Sequence, residues 1–145
     1  MRILFDTNVI LDILLDRQPF SEDAAALLSY AERGDIAGYA AATTITTLYY
    51  LCARAGGSVK AKRQIASILA LIEIAPVNRS VIESALTSRM RDFEDAVLAA
   101  AGALVRVEAI ASRNKQDFRL GSVAASTPRE LLELLQLRGL IRPLH

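Results

Sequence analysis

The sequence predicts an α/β protein built on a mostly parallel sheet, and three observations carry that prediction. Short aliphatic runs alternate with longer stretches whose apolar residues recur at helical spacing, the alternation of strand–helix–strand units. The composition is 52% hydrophobic and 23% charged, the balance of a packed globule rather than a disordered chain. At 145 residues the chain suffices for a single domain, residues 1–145, with a core large enough to fold without staples. No internal repeat, low-complexity segment or linker interrupts it.

The elements follow in order. Arg2–Phe5 reads as the first strand, ended by the polar Asp6-Thr7-Asn8. A short helix over Val9–Leu15 leads into the turn Asp16-Arg17-Gln18-Pro19. Ser21 is the expected cap of a helix reaching Arg33, with Glu22 and Asp23 in its first turn and Gly34 as its stop. Ile36–Ala41 is the second strand. Thr43–Ala55 forms a helix stopped by Gly56-Gly57, and Ser58 opens another through Leu71. Glu73–Val77 is a third strand and Asn78–Arg89 a helix. Asp92 caps a helix over Glu94–Val105 that is almost wholly Ala, Val and Leu after its two acids. It is expected to be buried nearly all round. Val107–Ser112 and Ser122–Ala125 complete the strands. Thr127-Pro128-Arg129-Glu130 joins an N-cap hydroxyl, Pro at the first helical position and Glu three after the cap. It opens a Leu-rich final helix ending at Gly139.

Composition narrows the chemistry. Seventeen basic and sixteen acidic residues leave a formal net charge of +1, so bulk charge argues for neither nucleic acid nor membrane. The single cysteine, Cys52, excludes an intramolecular disulfide and a Cys-based zinc site. The single histidine, His145, stands last, where chains usually fray. Serine–histidine, cysteine–histidine and histidine–metal chemistry are thereby disfavoured, and catalysis must draw on carboxylates, hydroxyls, amides, lysines and arginines. Asp6 breaks the apolar start, so no secretory signal is read there. The longest uncharged stretch, Ile36–Ala53, holds Thr43, Thr44, Thr46, Thr47 and Gly38, and reads as strand then helix rather than a membrane span. A soluble, cytoplasmic protein with no membrane contact is expected.

In an open parallel sheet, ligands bind outside the carboxyl ends of the strands. Three polar clusters fall there: Asp6 with Asn8; Asp92, Glu94 and Asp95; and Asn114 with Asp117. Asp6 directly follows Ile3-Leu4-Phe5 and is expected partly withdrawn from water, where an ionised carboxylate needs a partner. Its plainer role is an Asx-turn acceptor. Asp92 and Asp95, three apart, share a helical face, while Glu94 points off it. Ordinary capping explains these acids equally well, and the two roles are compatible, because the helix dipole keeps such acids ionised. Asn114 and Asp117, taken alone, fit a solvated loop. Together the clusters imply three or four oxygen ligands at one sheet edge. Without His or Cys, that donor set suits Mg²⁺ or Mn²⁺ rather than zinc.

Three stretches, Asp6-Thr7-Asn8-Val9-Ile10-Leu11-Asp12, Asp92-Phe93-Glu94-Asp95-Ala96 and Ser112-Arg113-Asn114-Lys115-Gln116-Asp117-Phe118, resemble the successive motifs of PIN domains. The match is closest to the branch of bacterial VapC-like toxins and spans almost the whole chain. The resemblance implies a three-layer α/β/α sandwich around a five-stranded parallel sheet, with a metal-dependent ribonuclease site at one edge. It also implies a small antitoxin partner and a homodimer. By position, the first family acid falls on Asp6, beside Asn8, and the third on Asp95, with Asp92 on the same face. The second, usually Glu, falls on Thr47, and the fourth on Asn114, with Asp117 as its substitute. The implied site is acid-poor. In it Asp6, Asp92, Asp95 and Asp117 hold Mg²⁺ or Mn²⁺, Asn114 ligates or positions water, and Asn8, Thr47 and Arg113 support them.

RNA requires compensating positive charge, for which Arg113, Lys115, Arg119, Lys60, Lys62 and Arg63 are the candidates. The competing reading is a catalytically weakened PIN-fold module that binds RNA or protein, favoured by Thr47 and Asn114. A signalling receiver domain needs Asp after the third strand and Lys after the fifth. Ala75-Pro76-Val77-Asn78 and Ala124-Ala125-Ser126-Thr127 supply neither. A dehalogenase-like phosphatase needs Asp where Asn8 stands. Tyr49, Tyr50 and Cys52 read as helix packing. The apolar tail Leu140–Leu144 is expected to dock on its own domain in preference to a partner.

Overall fold

The computed structural model describes residues 1–142; Pro143, Leu144 and His145, and the sequence readings that fall on them, lie outside the described residues. Five strands, β1 (Arg2–Phe5), β2 (Ala37–Ala41), β3 (Glu73–Ala75), β4 (Ala109–Ala111) and β5 (Ala125–Ser126), form one sheet in the order β3-β2-β1-β4-β5. Every pairing is parallel. Among the described residues the helices are α1 (Thr7–Leu14), α2 (Ser21–Glu32), α3 (Ala42–Gly56), α4 (Ser58–Leu69), α5 (Arg79–Thr87), α6 (Phe93–Leu104) and α7 (Pro128–Leu137). A 3₁₀ turn at Lys115–Phe118 joins β4 to β5. None of these helices is long and apolar enough to cross a membrane.

Strand alternation builds the layers. Ile3 and Phe5 face one core with Leu27, Leu48, Ile68 and Leu131, drawn from α2, α3, α4 and α7. Leu4 faces the other with Ile110, Val81, Val97 and Leu98, drawn from β4, α5 and α6. Helices therefore cover both faces, and the result is a three-layer α/β/α sandwich. Burial on both faces explains why β1 reads as an unbroken apolar run. Gly102 lets α6 lie close to the sheet: a Cβ there would stand 2.8 Å from Val107 Cγ2.

Several boundaries differ from the sequence expectation. Ser21 opens α2 but does not cap it; Phe20 holds the cap position in helical backbone. The Ser21 hydroxyl instead donates to Asp16 Oδ1 at 2.8 Å. β5 begins at Ala125 rather than Ser122, because pairing starts with Ala125 opposite Ile110. β3 stops at Ala75 and β4 spans three residues, so both are shorter than their apolar runs. The caps at Asp92 and Thr127 form as expected, and Thr127 with Glu130 completes a capping box; Asn78, expected as the first residue of its helix, caps it instead. α6 is buried through its middle only, with Phe93, Glu94, Ala103 and Leu104 exposed. Cys52 is buried as expected, whereas Tyr50 is 67% exposed and meets Tyr49 edge to face. In the tail, Ile141 is buried in the chain's own core, and the Tyr30 hydroxyl donates to the Arg142 carbonyl.

Candidate active site

The strand order makes β1 central: the chain runs outward from it through β2 and β3, then returns to its other side for β4 and β5. Such a switch point leaves a crevice at the carboxyl ends of the strands. A cavity of about 280 Å³ opens there. Four separated stretches line it. Asp6, Thr7 and Asn8 follow β1; Thr43, Thr44 and Thr47 come from α3; Asp92, Glu94 and Asp95 open α6; Asn114 and Asp117 follow β4.

Each group is held by the local fold. The Asp6 amide donates to the Ala111 carbonyl at 2.9 Å, which continues the β1–β4 pairing one residue past the strand. Its carboxylate makes no capping bond to α1. It accepts instead from the Ser112 hydroxyl at 2.8 Å, and that hydroxyl accepts from the Asn114 amide at 3.0 Å. The turn-acceptor role considered for Asp6 is therefore not the one the structure gives it. Asp92 does cap α6, accepting from the Asp95 amide at 2.9 Å, and lines the cavity as well. Thr7 and Thr44 share a hydrogen bond of 2.9 Å that ties α1 to α3 beneath the site. Thr47 donates to the Thr43 carbonyl at 3.2 Å. Phe118, fully buried, anchors the 3₁₀ turn that carries Asp117.

The electrostatics are those of crowded acids. Burial raises the Asp6 pKa above its ordinary value, opposed by the Ser112 hydroxyl and the Thr7 amide; Asp117 raises it further and Arg113 lowers it. Asp95 is pushed up to about 7, by burial first and then by the charges of Asp92, Asp6, Asp117 and Glu94. The acids feel one another because the chain has brought them together.

Every residue singled out in the sequence for the site itself, apart from Arg113, lines this cavity. Arg113 instead forms an ion pair with Asp12, Nε to Oδ2 at 2.8 Å, and lies 4.0 Å over the Phe20 ring. Arg17 completes the pair from the other side, 2.8 Å from Asp12 Oδ1. Lys115 pairs with Glu130 at 2.9 Å. Lys60, Lys62 and Arg63 lie on α4, outside the cavity lining. Sequence reasoning missed Ser112, Thr43 and the role of Asp12. Asp12 carried a signal, since a lone carboxylate beside Val9, Ile10 and Leu11 requires a buried partner. Ser112 and Thr43 carried none, because a hydroxyl at a strand end or helix start is ordinary.

The donor set can be tested against a divalent cation. Among the described residues, no three His, Cys, Asp or Glu side chains stand close enough to ligate one ion directly. Mg²⁺ keeps several waters and often takes only one or two carboxylates, so the requirement is a wet, anionic, oxygen-lined cavity. This cavity meets it: its polar groups are carboxylates, hydroxyls and amides, and burial, followed by the neighbouring acids, pushes Asp95 up to about 7. Thr43 Oγ1 is the one buried side-chain polar atom without a hydrogen-bond partner among the described residues, and Thr43 lines this cavity.

A parallel sheet with helices on both faces and acids gathered at its central carboxyl edge defines a class of α/β proteins with an acidic site. The profile of the PIN domain family matches residues 2–116, and the chain belongs to that family. No curated protein matches the chain. Solved structures share the fold. VapBC2 from Rickettsia felis, bound to a DNA fragment from its promoter, matches at TM-score 0.67 and 10% identity over 88% of this chain and 98% of that one. A toxin–antitoxin complex from Klebsiella pneumoniae matches at 0.66 and 21% over 87% and 97%. VapC20 from Mycobacterium tuberculosis, a sarcin-ricin loop cleaving toxin, matches at 0.60 and 16% over 74% and 86%. At these identities the likeness is one of fold.

Proposed function

We propose that this chain is a Mg²⁺- or Mn²⁺-dependent endoribonuclease, the toxin of a toxin–antitoxin pair, acting in the cytoplasm as a single domain. One observation carries the reading: Asp6, Asp95 and Asp117, distant in sequence, line one cavity at the sheet's carboxyl edge. Membership of the PIN domain family supports it, as does the likeness in fold to toxin–antitoxin complexes. A small antitoxin covering the acidic cavity and a homodimer belong to the same proposal.

When bound, the ion supplies Lewis-acid chemistry, activating water and offsetting charge that develops on the phosphodiester. The chain's own residues do the rest. Asp6, fixed by Ser112 at the end of β1, would hold the ion. Asp95, pushed up to about 7 by burial and the neighbouring acids, is only partly ionised near neutrality, and a bound cation would favour its carboxylate form. Asn114 and Thr43, whose Oγ1 has no partner among the described residues, offer neutral hydrogen bonds to water or phosphate oxygens without adding to the repulsion. Hydrolysis of RNA in Mn²⁺, abolished by chelator and by Asp6→Asn, is the expected result. Cleavage that survives either treatment contradicts the proposal.

A second reading rests on a specific observation: Thr47 and Asn114 stand where acids are expected, and among the described residues no three acids converge at ligating distance. The chain would then be a PIN-fold module that binds RNA or protein without hydrolysis. Calorimetric titration with Mn²⁺ separates the two, since the module shows no metal-dependent heat and no effect of Asp6→Asn.

A further inference from the structure

Beside the acidic cavity lies a second one, of about 430 Å³, that shares Asp92 and Asp117 with it. Arg91, Arg119 and Gln116 line its remaining polar wall. Both arginines are exposed, and neither forms an ion pair among the described residues. That sets them apart from the other cations near the site. Arg113 is committed to Asp12, Arg129 to Asp23 and Lys115 to Glu130.

From this juxtaposition we propose that Arg91 and Arg119 form a phosphate subsite for the nucleotide adjoining the scissile bond of a single-stranded RNA. The inference rests on the ribonuclease reading of the neighbouring cavity. The physical need is direct. A cavity lined by five carboxylates, Asp6, Asp92, Glu94, Asp95 and Asp117, repels a polyanion, and a polyanion entering it must be held by positive charge close by. Two guanidiniums on separate elements, one before α6 and one after the 3₁₀ turn, grip a phosphate from two sides as one flexible lysine cannot. Gln116 adds a neutral donor between them. Cations already paired elsewhere would have to surrender their carboxylates first, so these two act at lower cost.

The salt dependence of RNA binding tests this directly. Full-length Asp6→Asn protein, chosen to prevent cleavage during the measurement, is titrated with a fluorescent single-stranded RNA dodecamer over a range of salt concentrations. Each neutralised contact should make the slope of log affinity against log salt shallower by about 0.7, the single-strand value. Arg91→Gln and Arg119→Gln should each show this change, and the double variant about twice as much. Arg138→Gln, remote at the end of α7, should leave the slope unchanged. Both target arginines are exposed, so melting curves should confirm an intact fold. An unaltered slope in the double variant overturns the subsite, as does an equal drop in Arg138→Gln. If wild-type protein fails to hydrolyse RNA while the two arginines still set the slope, the nuclease reading falls and the subsite stands. Absence of any RNA binding overturns both.

Discussion

Ser112 donates its hydroxyl proton to Oδ2 of Asp6 across 2.8 Å, joining residues 106 apart in sequence and both withdrawn from water. The same hydroxyl accepts the Asn114 amide, so one oxygen fixes the carboxylate of β1 and the loop after β4. Replacing Ser112 with Ala should cost about 1–3 kcal/mol in urea unfolding near neutrality, the range for removing a partner from a buried acceptor. Metal-dependent activity should fall with it. A variant as stable and active as the parent contradicts this role.

Asp95 gives a pH dependence with a definite sign. Its pKa rises from 3.8 to about 7 on folding, through burial and then through Asp92, Asp6, Asp117 and Glu94. The folded chain thus holds a proton that the unfolded chain releases, and this group's contribution to stability declines as pH rises through that interval. Asp95→Asn should therefore gain melting temperature over the parent in chelator near pH 7.5, by a margin that shrinks toward about pH 4. Mn²⁺ should raise the parent's melting temperature more at the higher pH. A margin that grows on acidification has the wrong sign for this account.

Asp12 is 1% exposed and meets two arginines, while Phe20 covers one of them. Asp12→Asn leaves two guanidiniums uncompensated. The expected loss is about 2–3 kcal/mol, below the fully buried range because Arg17 and Arg113 are partly solvated. The double change Asp12→Leu with Arg113→Met should cost less than Asp12→Leu alone, which a double-mutant cycle in denaturant measures directly.

Thr47 sits on the cavity wall with its hydroxyl spent on a backbone carbonyl. Thr47→Glu adds a sixth acid to the five that line the cavity. The metal-free protein should melt lower, and Mn²⁺ should bind about tenfold more tightly, roughly 1.4 kcal/mol. Tighter binding without loss of metal-free stability would mean that the acids do not share one field.

The fold was legible where the signal was local. Apolar runs, caps at Asp92 and Thr127, and the glycine stops placed nearly every element in its proper order. The strand ends were not, because Val77 and Ser122 are as apolar or as small as strand residues, and the register of neighbouring strands leaves both beyond the paired residues. At the site, the acids were legible because a carboxylate after an apolar strand needs a reason to be there. The fate of Arg113 was not. A lone arginine in a polar loop reads as a free cation until tertiary packing sets it against Asp12, 101 residues away. Arg91 went unnoticed for the same reason in reverse, since nothing in Met90-Arg91-Asp92 marks it as unpaired.

Calorimetric titration of the full chain with Mn²⁺, alongside Asp6→Asn and Asp95→Asn, measures whether these separated acids act on one ion. A single site in the parent, weakened at least about tenfold by either substitution, is the predicted outcome. Metal binding untouched by both substitutions, or none at all in the parent at neutral pH, would contradict it.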